Sequence, residues 1–312
     1  MKFAVSLLAP IALCLPGAAL ANDEEPLVFE PTSQWNVDYG AQNCELRRLF
    51  SDGTHQLILK IPGTATSGER WMTILVEGLK SKGSAQGEST VEFLPAVGTT
   101  EEQPHYTLET EVDFWGLYTP AEIHKQTETG KRYEELLAND DREAAEKLLA
   151  VLEEEEAKRE KEVTGLLVEG AFEKDLLIKT GAMRAAMNVL RDCASTLPKA
   201  WGVEEEAAYP PEPVDERIWL KRIIAAYPAK SLRNREIGNL PVILVIGTDG
   251  SIENCIVPSS PASQTLQEET CKNLKRYAKF APARNEAGEA IRGIWQTTVV
   301  YELFFTRETI LQ

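Results

Sequence analysis

Val242-Ile243-Leu244-Val245-Ile246-Gly247-Thr248-Asp249-Gly250-Ser251-Ile252-Glu253-Asn254-Cys255-Ile256-Val257 places two apolar runs around a Gly-Thr-Asp-Gly turn. Aliphatic and β-branched residues flanking such a turn predict a β-hairpin. The stretch that follows changes period. From about Gln264 to Lys279 the apolar stripe Leu266, Leu274, Tyr277 and Ala278 predicts a helix. Thr265 with Glu268 makes a capping pattern, and Lys275, Arg276 and Lys279 in the last turn suit the helix dipole. Phe280-Ala281-Pro282 ends the helix, Glu286-Ala287-Gly288 turns the chain, and Trp295 to Phe305 reads as a last strand.

The order Tyr227-Pro228-Ala229, strand, Asp-Gly turn, strand, Ser259-Ser260, helix, Phe280-Ala281-Pro282-Ala283, Gly288 and final strand resembles the C-terminal domain of the TonB family over about 90 residues. Cys255 on the second strand and Thr270-Cys271 on the helix resemble a cysteine-containing branch of it. Pro261 and Gln267 stand where the family usually has Gly and Asp. The resemblance implies a small antiparallel sheet with helices on one face. It also implies a strand edge that accepts an extended segment of an envelope protein, such as the TonB-box peptide of an outer-membrane receptor. Thr297, Val299 and Tyr301 share one face of that strand and are the expected partner-strand residues.

Upstream, Val203 to Glu216 carries three prolines among its glutamates and predicts a stiff acidic linker over 203–216, with the TonB-like domain at 217–312. Residues 22–202 predict one β-rich domain. Gln56 to Ile61 and Trp71 to Glu77 are strand-like, and Trp35, Val37 and Tyr39 fall on one face of another strand. A helical insertion is expected at about 127–163, where Tyr133, Leu136, Leu137, Leu148, Leu149 and Leu152 recur at helical spacing. Met183, Met187, Leu190 and Cys193 mark one face of a further helix. The fold class is therefore α+β, a β-rich domain with inserted helices followed by a small sheet-and-helix domain.

Lys2, the apolar stretch Phe3 to Leu15 and Ala19-Leu20-Ala21 predict a signal peptide over 1–21, cleaved after Ala21, and hence a periplasmic protein. Four cysteines then remain in an oxidising compartment, and they allow three connectivities. The 16-residue spacing of Cys255 and Cys271 favours pairing them, which leaves Cys44 with Cys193. Without any Cys-x-x-Cys pair, a zinc site is not expected.

Thirty-three basic against 49 acidic side chains give a net charge of -16, which disfavours non-specific attachment to nucleic acid or anionic lipid. A membrane role is expected only if the N-terminal segment stays uncleaved. The halves differ in sign: residues 217–312 hold 13 Lys plus Arg against 9 Asp plus Glu, and residues 22–216 hold 19 against 40. Lys272, Lys275, Arg276 and Lys279 make one basic helix face, open to the Glu153 to Glu156 stretch, to a partner or to water. A weak, salt-sensitive contact between the two halves is expected. His55, His105 and His124 show no metal or nucleophile spacing, and Asp52-Gly53 and Asp249-Gly250 read as turns, so neither catalysis nor a cofactor is expected.

With the export signal, the resemblance implies a non-enzymatic periplasmic binding protein; the alternative is a membrane-anchored energy transducer for transport across the outer membrane. Intact-mass measurement of the exported chain separates them: a first residue of Asn22 is expected, whereas retained Met1 in the inner membrane supports the transducer.

Overall fold

The computed structural model describes residues 25–301 except 41, 64–70, 84–85, 98–100, 110–112, 121–122, 124–126, 140, 235, 237, 259 and 261. The expected signal segment lies outside the described residues. Eight strands come first: β1 (Leu27–Pro31), β2 (Asn36–Tyr39), β3 (Cys44–Ser51), β4 (Gln56–Gly63), β5 (Trp71–Glu77), β6 (Gln86–Leu94), β7 (Glu102–Glu109) and β8 (Phe114–Pro120). Helices α1 (Glu128–Ala138) and α2 (Arg142–Glu162) follow, then β9 (Gly165–Glu169), β10 (Leu176–Ile178) and α3 (Arg184–Ala200).

These strands close on themselves. The order runs β1-β10-β9-β6-β7-β8-β5-β4-β3, and β1 pairs again with β3, so the sheet is barrel-like, with β2 alongside β3. Period-two alternation fills it: Leu57, Leu59 and Ile61 on β4 and Met72, Ile74 and Val76 on β5 are all buried. Tyr39 departs from that pattern and is 65% exposed, while Trp35 and Val37 pack partly against the core. The ring-closing pair β1–β10 is parallel, and the chain crosses nearly the whole barrel between its two strands.

The helical insertion falls where the 3.6 period placed it. Its cap is Asp141, whose carboxylate accepts from the Ala144 N–H at 3.2 Å. The end of α2 is fastened to α3 by charge: the fully buried Glu160 carboxylate accepts from Arg184 at 3.0 Å and from both Arg191 nitrogens at 2.7 and 2.8 Å. These bonds hold the Arg191 guanidinium above its ordinary pKa. Helix α3 buries Met187, Leu190, Cys193, Ala194 and Leu197 against β2, β3 and β4. At Gly63 a Cβ would lie 2.9 Å from the Leu190 side chain, so α3 comes this close only over glycine. Cys44 on β3 bonds Cys193 at the same contact.

The remaining elements are β11 (Glu212–Val214), α4 (Glu216–Ala225), α5 (Ala229–Arg233), β12 (Gly238–Ile246), β13 (Ile252–Ile256), α6 (Gln264–Tyr277), β14 (Lys279–Ala281), β15 (Ala283–Arg284), β16 (Ala290–Ile291) and β17 (Gly293–Tyr301). β12 is central in a three-stranded antiparallel sheet, β13-β12-β17. The hairpin turn closes with the Gly247 N–H donating to the Ser251 carbonyl at 2.8 Å. Gly250 is required there, because its φ is +80° and a Cβ would run into the Phe280 carbonyl. Helix α6 is capped by Ser263, which accepts from Leu266 N–H, rather than by Thr265.

Two expectations change. The segment 203–216 does not form a free acidic spacer: β11 pairs with β14, Tyr209 bridges to Arg284, and Pro211 packs against Gly293. Proline supplies no donor, but an edge pairing of three residues tolerates it. The junction between the two parts is apolar rather than ionic. Trp201 and Val203, just past α3, pack on Ile243, Val245, Ile256 and Ile294 of the sheet. Within the acidic stretch, Glu155 accepts from Thr129 and Glu156 lies 3.9 Å from Arg191.

Replacing Cys44 and Cys193 together by Ala releases a crosslink spanning 149 residues. By the loop-entropy relation the barrel should lose about 5 kcal/mol. Urea unfolding followed by near-UV dichroism measures it.

Candidate functional site: an open strand edge

β17 pairs with β12 over nine residues, from Gly238↔Tyr301 to Ile246↔Gly293, and among the described residues no strand lies on its other side. Its side chains divide by parity. Thr297, Val299 and Tyr301 face the helices; Val299 is 9% and Tyr301 4% exposed. The other face carries Thr298 and Val300, the latter 50% exposed. The residues expected to meet a partner strand thus share one face, as the period required, but their side chains serve the core. Thr298 and Val300 are the outward pair.

The backbone follows the same alternation. The Gly247 bond to Ser251 shows that odd-numbered residues of β12 direct their polar groups toward β13. Even-numbered ones then face β17, which suits Pro241, whose missing N–H is not demanded on that side. Across the ladder this aims the N–H and C=O groups of Thr298 and Val300 at the open edge.

The edge is held rigidly from behind. The Thr270 hydroxyl donates to the Leu266 carbonyl at 2.6 Å, so the Tyr301 hydroxyl, 2.5 Å away, donates to Thr270. Burial raises the Tyr301 phenol above its ordinary pKa, so it remains a donor. Tyr227 meets the Tyr301 ring edge-on at 4.9 Å and donates to the Glu236 carbonyl. At the other end Trp295 packs against Trp219 and Phe280 at 6.3 and 5.0 Å. Cys255–Cys271 ties α6 to β13, completing the frame.

Residues 225–303 match the family described as the Gram-negative bacterial TonB protein C-terminal. That stretch is a TonB C-terminal domain. No curated protein and no solved structure matches the chain significantly. The family match leaves the barrel unrecognised.

The TonB C-terminal family is a protein-interaction family, and among the described residues β17 is the longer of the two edge strands of the three-stranded sheet. β13 has five residues, with a bulge opposite Val245/Ile246. Of the expected basic helix face, Lys272 pairs with Glu269 at 2.8 Å, Lys275 is exposed and Arg276 lies over the Tyr277 ring at 5.2 Å, all on α6, but the helix ends at Tyr277 and Lys279 is exposed at the start of β14.

Sequence spacing missed one pair in the barrel. His105 Nδ1 sits 2.9 Å from Ser89 Oγ, joined by the β6–β7 register. They are 3% and 2% exposed, and burial lowers the imidazole pKa, favouring the neutral ring. His55 bonds Asp52 inside the expected turn at 2.8 Å, and His124 lies outside the described residues. Among the described residues no group of three His, Cys, Asp or Glu side chains is placed to hold a metal ion.

Tyr301→Phe removes the hydroxyl and leaves Thr270 with one partner fewer. A loss of about 1 kcal/mol is expected from the C-terminal unfolding transition, read by Trp219 and Trp295 fluorescence in denaturant.

Proposed function

We propose that this is an exported, periplasmic binding protein that captures an extended segment of an envelope protein by adding it as a strand to β17. A receptor's TonB-box peptide is the expected segment. The observation that carries the reading is the edge of β17, which no strand covers among the described residues, within a TonB C-terminal domain. An added strand satisfies the outward groups of Thr298 and Val300, and their side chains, with the partner's alternate residues, supply selectivity. The edge requires no rearrangement to accept it, because Tyr301 and Trp295 already fix the strand from the core side.

The soluble form of this reading is favoured over a force-transmitting anchor. Residues 209–214 are folded onto β14 and β15, which leaves little slack between barrel and TonB C-terminal domain.

A photo-crosslinking amino acid at Thr298, in cells carrying the full chain, tests it. A specific adduct with an envelope protein is expected at Thr298 and not at exposed Ser195 on α3. Adducts of equal yield at both positions, or none at Thr298, would sink the proposal.

A further inference from the structure

Helices α4 and α6 lie side by side on the sheet face turned away from the barrel, since Trp201 and Val203 cover the opposite face. Their outer surface is strongly basic. α4 and α6 carry six lysines and arginines against three glutamates, and Lys230 and Arg233 follow on α5 and Lys279 on β14, in a chain whose remaining charge is heavily acidic. Two of the cations are brought together in a specific way: Arg222 from α4 and Arg276 from α6 both stack on the ring of Tyr277, at 5.8 and 5.2 Å. Among the described residues neither has a carboxylate partner, nor do Arg217, Lys221, Lys275 or Lys279. Several cations elsewhere are matched: Arg184 and Arg191 converge on Glu160, Arg292 on Glu253 and Arg47 on Asp38. Two guanidinium groups held over one ring repel each other, and an anion bound between them relieves that repulsion.

The flanks are apolar. Ile218 is 57% exposed among Arg217, Lys221 and Arg222, and Leu220 is 39% exposed. Cations around exposed aliphatic side chains on a helix suit the boundary of a lipid leaflet, where phosphates meet acyl chains. We propose that the α4–α6 face docks on anionic phospholipid headgroups, with the Arg222–Tyr277–Arg276 cluster gripping phosphate oxygens through its planar donor forks. The acidic barrel cannot approach the same surface, so adsorption is limited to one orientation, barrel outward. This does not depend on strand addition at β17.

The test is co-sedimentation of the exported, purified chain with vesicles of equal parts phosphatidylglycerol and phosphatidylcholine, against vesicles of phosphatidylcholine alone. Binding to the anionic vesicles only is expected at low salt, weakening as the Debye length falls to about 8 Å. R222Q/R276Q should lower the affinity on the order of tenfold, since each basic residue near the leaflet adds to attraction, while R222K/R276K keeps most of it. Both positions are exposed, and unchanged thermal unfolding verifies the fold of each variant. Equal adsorption to neutral vesicles, or undiminished binding by R222Q/R276Q, overturns the proposal. So does pelleting without vesicles, or a concentration-dependent mass at low salt abolished by R222Q/R276Q, which assigns the face to the acidic barrel of a second copy. Capture of polyglutamate by that face, with no vesicle binding, assigns it to an acidic protein and overturns it as well.

Discussion

A sheet of three strands has two faces to bury and too few strands to bury them alone. In the C-terminal part of the chain β12 solves this by being apolar on both sides. Leu240, Val242, Leu244 and Ile246 lie under α4 and α6, and Ile243 and Val245 lie under Trp201 and Val203. The continuous run Val242 to Ile246 is the trace of that double cover. Everything else depends on it. The helices sit on one face only, the barrel is drawn against the other, and the edges remain the available surface.

The segments with a strong local period were legible in the sequence. The hairpin 242–257, helix α6 and the α1–α2 insertion follow from apolar spacing alone, and the even cysteine count with a 16-residue spacing leads to both bonds. What escaped depends on contacts remote in the chain. A strand set such as Thr297, Val299 and Tyr301 is visible as a set, but nothing local says whether it faces core or partner; the helices decide. The ring closure of β1 on β10 and β3, and the meeting of Ser89 with His105, arise from sheet order. The prolines of 210–213 carry the same composition whether they lie free in water or dock against Gly293.

Charge was the least transferable signal. Opposite net charges predicted an ionic contact between the halves, yet the contact that formed buries Trp201 and Val203. Exposed ion pairs contribute at most about 1 kcal/mol, whereas removing aliphatic and aromatic surface from water contributes about 25 cal/mol per Å². The acids of α2 are partly used at home, where Glu160 and Glu156 hold Arg191. Among the described residues that leaves the cations of α4 and α6, Lys272 beside Glu269 apart, without an internal counter-charge.

The composition of β17 is itself an argument about use. Exposed edges are normally protected by charge, proline or a bulge, because an unprotected one recruits stray strands. In a chain that is 26% charged, Gly293 to Tyr301 contains no Asp, Glu, Lys, Arg or Pro, and its register with β12 is unbroken. The shorter edge strand β13 carries Glu253, salt-bridged to Arg292, and a bulge. Protection has thus been applied to one edge and withheld from the other. A long, regular, uncharged edge that no described strand covers, braced by Tyr301 and Trp295, is costly to leave open, and the proposed strand capture supplies a physical reason for keeping it.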